Sequence, residues 1–242
     1  MHARTVAHHR RAPSLALDRA FLHGLRSGRL RLTSLPVKLR GSSFARIRQR
    51  LAELDLRQLS SIDKARQLQT AEQPCAVERL PHAELWLSTA DARHLPAHGE
   101  AALLENAGRD RFGRTHWLQP AALRALRRLH HAAALDGVEL ELISSFRSTR
   151  DQLRILLRKH ASGQSWEQIL KVNAPPGFSE HHSGCAVDLA VPGAPPLTEA
   201  FESTLAYGWL QQNAGRFGFE LSYPRGNRWG FIHEPWHWCY RG

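Results

Sequence analysis

Apolar positions at helical and strand spacings mark out most of the second half of the chain. After Pro120, Leu123, Leu126, Leu129 and Ala133 fall on one face while Arg124, Arg127 and Arg128 lie largely off it. That pattern predicts an amphipathic helix that stops at Gly137. Val138-Glu-Leu-Glu-Leu-Ile143 then alternates apolar and acidic residues, as a half-buried strand does. Ser148 or Thr149 is placed to cap a following helix with Leu153, Leu156 and Leu157 inward. Phe178 to Ala190 reads as loop and strand, and Thr204 to Ala214 as a helix that Gly215 or Gly218 can end. Phe219 to Tyr223 and Trp236 to Tyr240 read as strands. Residues 76–118 carry mixed signals, with one short strand candidate at Glu84–Ser88. The succession predicts an α+β domain, a central antiparallel sheet flanked by helices.

The first part of the chain is different in kind. Residues 1–41 show no sustained period and are dominated by Arg, His and Ser, which reads as a basic, disordered tail. Within residues 42–75, Phe44, Ile47, Leu51 and Leu54 recur at helical steps with Arg46, Arg48 and Arg50 between them. This amphipathic helix and linker either packs on the main domain or lies on an anionic surface. Residues 76–242 form the remaining domain.

Charge follows the same division. The net charge is +11, yet residues 1–70 hold 15 Lys and Arg against 4 Asp and Glu, whereas residues 71–242 hold 18 of each. A basic excess confined to residues 1–70 implies a solvated segment or contact with an anionic partner, nucleic acid included. No apolar run approaches a membrane span, and no signal peptide is visible at the N-terminus. Cys75, Cys185 and Cys239 follow no metal-finger spacing and imply no disulfide framework. No obligate protein partner is inferred.

The chemistry concentrates in Ser179-Glu-His-His-Ser-Gly-Cys-Ala-Val-Asp188 and Glu234-Pro-Trp-His237. Imidazole and carboxylate are competent zinc ligands, and three protein ligands with one open position distinguish a catalytic zinc from a structural one. His181 and Asp188 are seven apart, which a regular strand places on opposite faces. His181 therefore belongs to the entering loop and Asp188 to the strand, with Gly184 as pivot. Pro235 is poorly tolerated in a central strand, so Glu234 ends a loop and His237 lies inside the strand. If Asp188 and His237 share the metal, strand parity turns Cys185 away and argues against a Cys185–Cys239 bridge. His182 and His233 stand beside the candidates, and composition does not choose among them.

The pattern Ser-x-His-x-x-Gly-x-Ala-x-Asp followed by Glu-Pro-Trp-His resembles that of VanY-type D-alanyl-D-alanine carboxypeptidases. These are zinc peptidases of the group that includes lysostaphin and sonic hedgehog. Ser145-Phe-Arg147-Ser-Thr-Arg-Asp-Gln152 and Thr204 to Gly218 resemble further family segments, so the likeness spans roughly residues 80–242. The resemblance implies His181, Asp188 and His237 as ligands of one Zn2+ per chain, and Glu234 as catalytic base. It implies Arg147 as partner of the substrate carbonyl, with Gln152 and Ser179 holding the substrate's C-terminal end. The family departs here at Phe146, where an aromatic hydroxyl is common, and at Cys239, often a basic residue.

What the resemblance implies is removal of a terminal D-alanine from peptidoglycan stem peptides, with D,D and L,D specificity both open. It implies a periplasmic or cell-envelope location. The alternatives are a lysin-like peptidoglycan endopeptidase and a zinc-containing cell-wall-binding module without turnover.

Overall fold

The computed structural model describes residues 30–32 and 77–242. The helix expected from Ser43, Cys75 and all of the expected tail except residues 30–32 lie outside the described residues. In chain order come β1 (Leu30–Leu32), α1 (Ala83–Ala92), β2 (Leu103–Arg109), β3 (Thr115–Leu118), α2 (Pro120–Leu135) and β4 (Glu141–Ser144). Then follow α3 (Thr149–Ala161), α4 (Trp166–Val172), β5 (Ala186–Ala190), α5 (Leu205–Asn213), β6 (Phe219–Leu221) and β7 (His237–Tyr240). The strands form a three-stranded sheet, β1-β2-β3, and a four-stranded sheet, β4-β5-β7-β6. Every pairing is antiparallel. The fold is α+β, as the element succession predicts.

One face of the four-stranded sheet carries the main core. Pro120 opens α2, where its fixed φ suits the first turn and its missing N–H is not needed. Leu123, Leu126 and Leu129 of α2 and Leu210 of α5 pack with Val187, Leu189, Phe219 and Trp238 of the sheet. Strand alternation sends Asp188 and His237 out of the opposite face. A second core gathers α1, α3 and α4, with Trp86 against Leu153, Leu156, Ile169 and Leu170. Among the described residues, no helix is long and apolar enough to cross a membrane.

Several expectations are corrected. Glu84–Ser88 is helical rather than extended, because Trp86 and Ala90, four apart, are the positions that bury. The strand after Gly137 starts only at Glu141, since the backbone N–H of Gly137 and Val138 are used in closing α2. Leu157 is half-buried rather than part of the core. Within the basic N-terminal segment, Leu30–Leu32 pairs with Leu103–Glu105, so those three residues are a sheet edge and not disordered tail.

Candidate metal centre

Asp188 of β5 and His237 of β7 are directly opposed partners in the ladder, so register alone places their side chains together on one face. His237 Nδ1 stands 3.0 Å from Asp188 Oδ1. His181 approaches from a 3₁₀ turn, Glu180–Ser183, that Gly184 ends at φ 69. A Cβ at Gly184 would stand 2.8 Å from Leu104 Cδ2 and 3.2 Å from the backbone N of Gln119. Glycine thus supplies the left-handed turn and lets the β2–β3 hairpin approach, sealed by Gln119 N donating to Gly184 O at 2.8 Å.

Hydrogen bonding chooses among the histidines. His181 Nδ1 donates to the Ser145 carbonyl at 2.7 Å, because a carbonyl can only accept. Nε2 of His181 is left as a lone pair, 3.3 Å from Asp188 Oδ2. His182 uses both nitrogens elsewhere, donating from Nδ1 to Arg147 O at 2.6 Å and accepting at Nε2 from Gly177 N at 3.1 Å. Its burial lowers its pKa to about 4, so it is a neutral structural residue. His233 is directed to Tyr223 O and towards Glu202 and does not line the cleft.

Glu234 lies outside β7, as Pro235 implies. Its backbone N donates to Tyr223 O, and its carbonyl accepts from His237 N, each at 3.0 Å. Glu234 Oε2 is 3.9 Å from His237 Nδ1, beside the cluster without bonding into it. Burial raises its carboxyl pKa to about 7; the cationic His237 opposes this and Asp188 adds to it. Arg147, half-buried, donates to Gln152 Oε1 at 2.9 Å and Ser144 Oγ at 3.0 Å. Asp188 and Glu234 act on its charge. Gln152 Nε2 donates to Ala174 O at 2.7 Å. Ser179 lines the same cleft, of about 310 Å³, together with all the residues named as ligands or base.

Glu180 joins the cluster although no motif position singles it out. Its carboxylate stands 2.9 Å from His237 Nε2, accepts from Ser222 Oγ at 2.6 Å and pairs with Arg241. With Asp188 and Glu180 against its two nitrogens, His237 is raised to about 10 although burial pulls the other way. A basic imidazole braced between carboxylates is what a metal ligand requires. Ligand atoms of His181, Asp188 and His237 lie within 4.8 Å of one another, and these two nitrogens and one oxygen can hold a metal ion. Cys185 and Cys239 are free thiols, as the parity argument requires.

The family model described as VanY, D-alanyl-D-alanine carboxypeptidase, matches residues 115–242. A carboxypeptidase by name, YodJ of Bacillus subtilis (strain 168), is 33% identical over 129 residues, covering 52% of this chain and 47% of the relative. A D-alanyl-D-alanine carboxypeptidase of Enterococcus faecalis (strain ATCC 700802 / V583) is 34% identical over 127 residues, 48% of this chain and 46% of the relative. The chain thus spans about half the length of the curated relatives it matches. Among solved structures, that of the LdcB LD-carboxypeptidase is 32% identical at a TM-score of 0.48, covering 52% of this chain and 60% of that one. A vancomycin-resistance D,D-pentapeptidase VanY in complex with Zn(II) is 30% identical at a TM-score of 0.47, covering 61% of this chain and 83% of that one.

Proposed function

The chain belongs to the VanY family of D-alanyl-D-alanine carboxypeptidases, and from that premise we propose that it removes the terminal D-alanine of peptidoglycan stem peptides with one zinc ion per chain. The observation that carries the reading is convergence: His181 Nε2, Asp188 and His237 gather in one cleft with a buried carboxylate, Glu234, 3.9 Å from His237. Two nitrogens and one oxygen suit zinc and leave a position open. When bound there, zinc supplies Lewis acidity that makes water a nucleophile near neutral pH.

The protein's own groups do the rest. Glu234 takes the proton of the attacking water and returns it to the leaving amine; burial, which raises its carboxyl pKa, favours its holding that proton in between. The Arg147 guanidinium, held by Gln152 and Ser144, faces the negative charge that grows on the scissile carbonyl oxygen. Ser179 offers a hydroxyl at the same wall of the cleft. Gln152 acts first by fixing Arg147, since its Oε1 accepts from that guanidinium. A peptidoglycan substrate places the working protein in the cell envelope.

Incubation with pentapeptide and tetrapeptide muropeptides, with and without chelator, tests the proposal by product mass. Chelator-sensitive loss of one alanine supports it. Loss of a larger fragment assigns an endopeptidase, and no loss assigns a binding module.

A further inference from the structure

A carboxypeptidase substrate ends in a free α-carboxylate, and an anion entering a half-buried cleft needs donors that replace its water. Apart from the histidines of the metal cluster, two basic side chains line this cleft, Arg147 and Lys159. Arg147, held by Gln152 and Ser144, serves the scissile carbonyl in the reading above. Gln152 has its amide oxygen on Arg147 and its amide nitrogen on Ala174 O. Ser179 carries no charge.

Lys159 is differently placed. Gln152, Leu156 and Lys159 follow one another at steps of four and three, so they share the inward stripe of α3. Its neighbours Arg158 and His160 are exposed, and they serve the helix end in the ordinary way. Lys159 Nζ donates to the neutral Asn173 Oδ1 at 3.2 Å, and no carboxylate pairs with it among the described residues. Lys171, by contrast, is exposed and paired with Glu167 at 2.9 Å. Burial lowers the Lys159 pKa and Arg147 adds to this, while Glu234 opposes it, as befits a cation on the wall of the same cleft.

We infer that Lys159, with Asn173 beside it, receives the free terminal carboxylate of the peptide and so determines preference for chain ends over internal bonds. This role rests on the carboxypeptidase reading given above. A charge-assisted hydrogen bond of this kind is worth about 10- to 100-fold in affinity.

Calorimetric titration of the zinc-loaded Glu234→Ala protein measures it, using a D-Ala-D-Ala-ending stem pentapeptide in three forms. These are the free acid, the C-terminal amide, and the free acid with its internal side-chain carboxyl amidated. The expected result is that the terminal amide binds about 10- to 100-fold more weakly, while internal amidation changes nothing. Adding Lys159→Met or Lys159→Gln should make acid and terminal amide bind alike, and Lys159→Arg should keep the preference. Two lysine replacements guard against a folding defect in either one, checked by zinc content and circular dichroism. A preference that survives both replacements, loss carried by the internal carboxyl instead, or no binding of any form overturns the inference. Turnover of the free acid by the unmodified protein is scored separately. Its absence with Lys159-dependent binding intact fails the carboxypeptidase reading alone, and turnover without Lys159 dependence fails the lysine's role alone.

Discussion

Glu180 stands 2.9 Å behind Nε2 of His237, while Asp188 stands 3.0 Å from Nδ1 of the same ring. The imidazole is therefore clamped along its own axis, and Ser222 and Arg241 in turn fix the Glu180 carboxylate. Glu180→Gln should keep the fold but weaken zinc binding about 10- to 100-fold, the usual effect of losing such a partner. Competition with a chromogenic chelator measures this, and unchanged affinity would remove Glu180 from the metal site's support.

Arg147 and Gln152 form one unit, joined at 2.9 Å. Arg147→Ala should lower kcat/KM about 100- to 1,000-fold, as for loss of an oxyanion donor. Gln152→Ala should cost less, because Ser144 still holds the guanidinium. The double variant should be no worse than Arg147→Ala alone, since the glutamine acts through the arginine. Additive losses would show that Gln152 meets the substrate independently.

Gly184→Ala tests the turn that presents His181. At φ 69 a Cβ is strained, and it would meet Leu104 Cδ2 at 2.8 Å. The combined cost should be roughly 2–4 kcal/mol, read by chemical denaturation. A loss below about 1 kcal/mol, the scale of an ordinary substitution, would mean that the hairpin gives way freely.

Acid should destabilise the metal-free chain through His182. Its folded pKa is lowered from 6.5 to about 4, so between those values the unfolded chain binds a proton that the folded chain refuses. Stability is thus full above pH 6.5 and falls as pH drops through the window, by about 3 kcal/mol at the low end. His98, His116 and His130, whose pKa values burial also lowers, act in the same direction. His237, raised to about 10, acts at higher pH, where its contribution is lost as pH rises. Thermal melts between pH 7 and 4.5 should slope less steeply in His182→Gln than in the parent; equal slopes would contradict the assignment.

Local rules made much of this legible in advance. The stripe Leu123, Leu126, Leu129 and Ala133 named α2, and Ser148 caps α3 by accepting from Asp151 N. Strand parity with Pro235 separates Glu234 from His237 on local grounds alone. Glu84–Ser88 misled because its apolar run, Leu85-Trp86-Leu87, is too short to tell a strand from the four-residue step of Trp86 and Ala90. The β2–β3 hairpin and α4 were not anticipated either. Glu180 and Lys159 were silent for a different reason. What they do depends on where Arg241, His237 and Asn173 arrive from distant parts of the chain, which no local pattern records.

The central claim is that Glu234 moves protons and does not hold the metal. Its most direct test is the Glu234→Ala protein beside the unmodified one and His237→Ala, each assayed for bound zinc and for alanine release from a pentapeptide muropeptide by mass. Glu234→Ala should retain stoichiometric zinc and lose hydrolysis, while His237→Ala should lose both. Alanine release by Glu234→Ala at the unmodified rate would contradict the account.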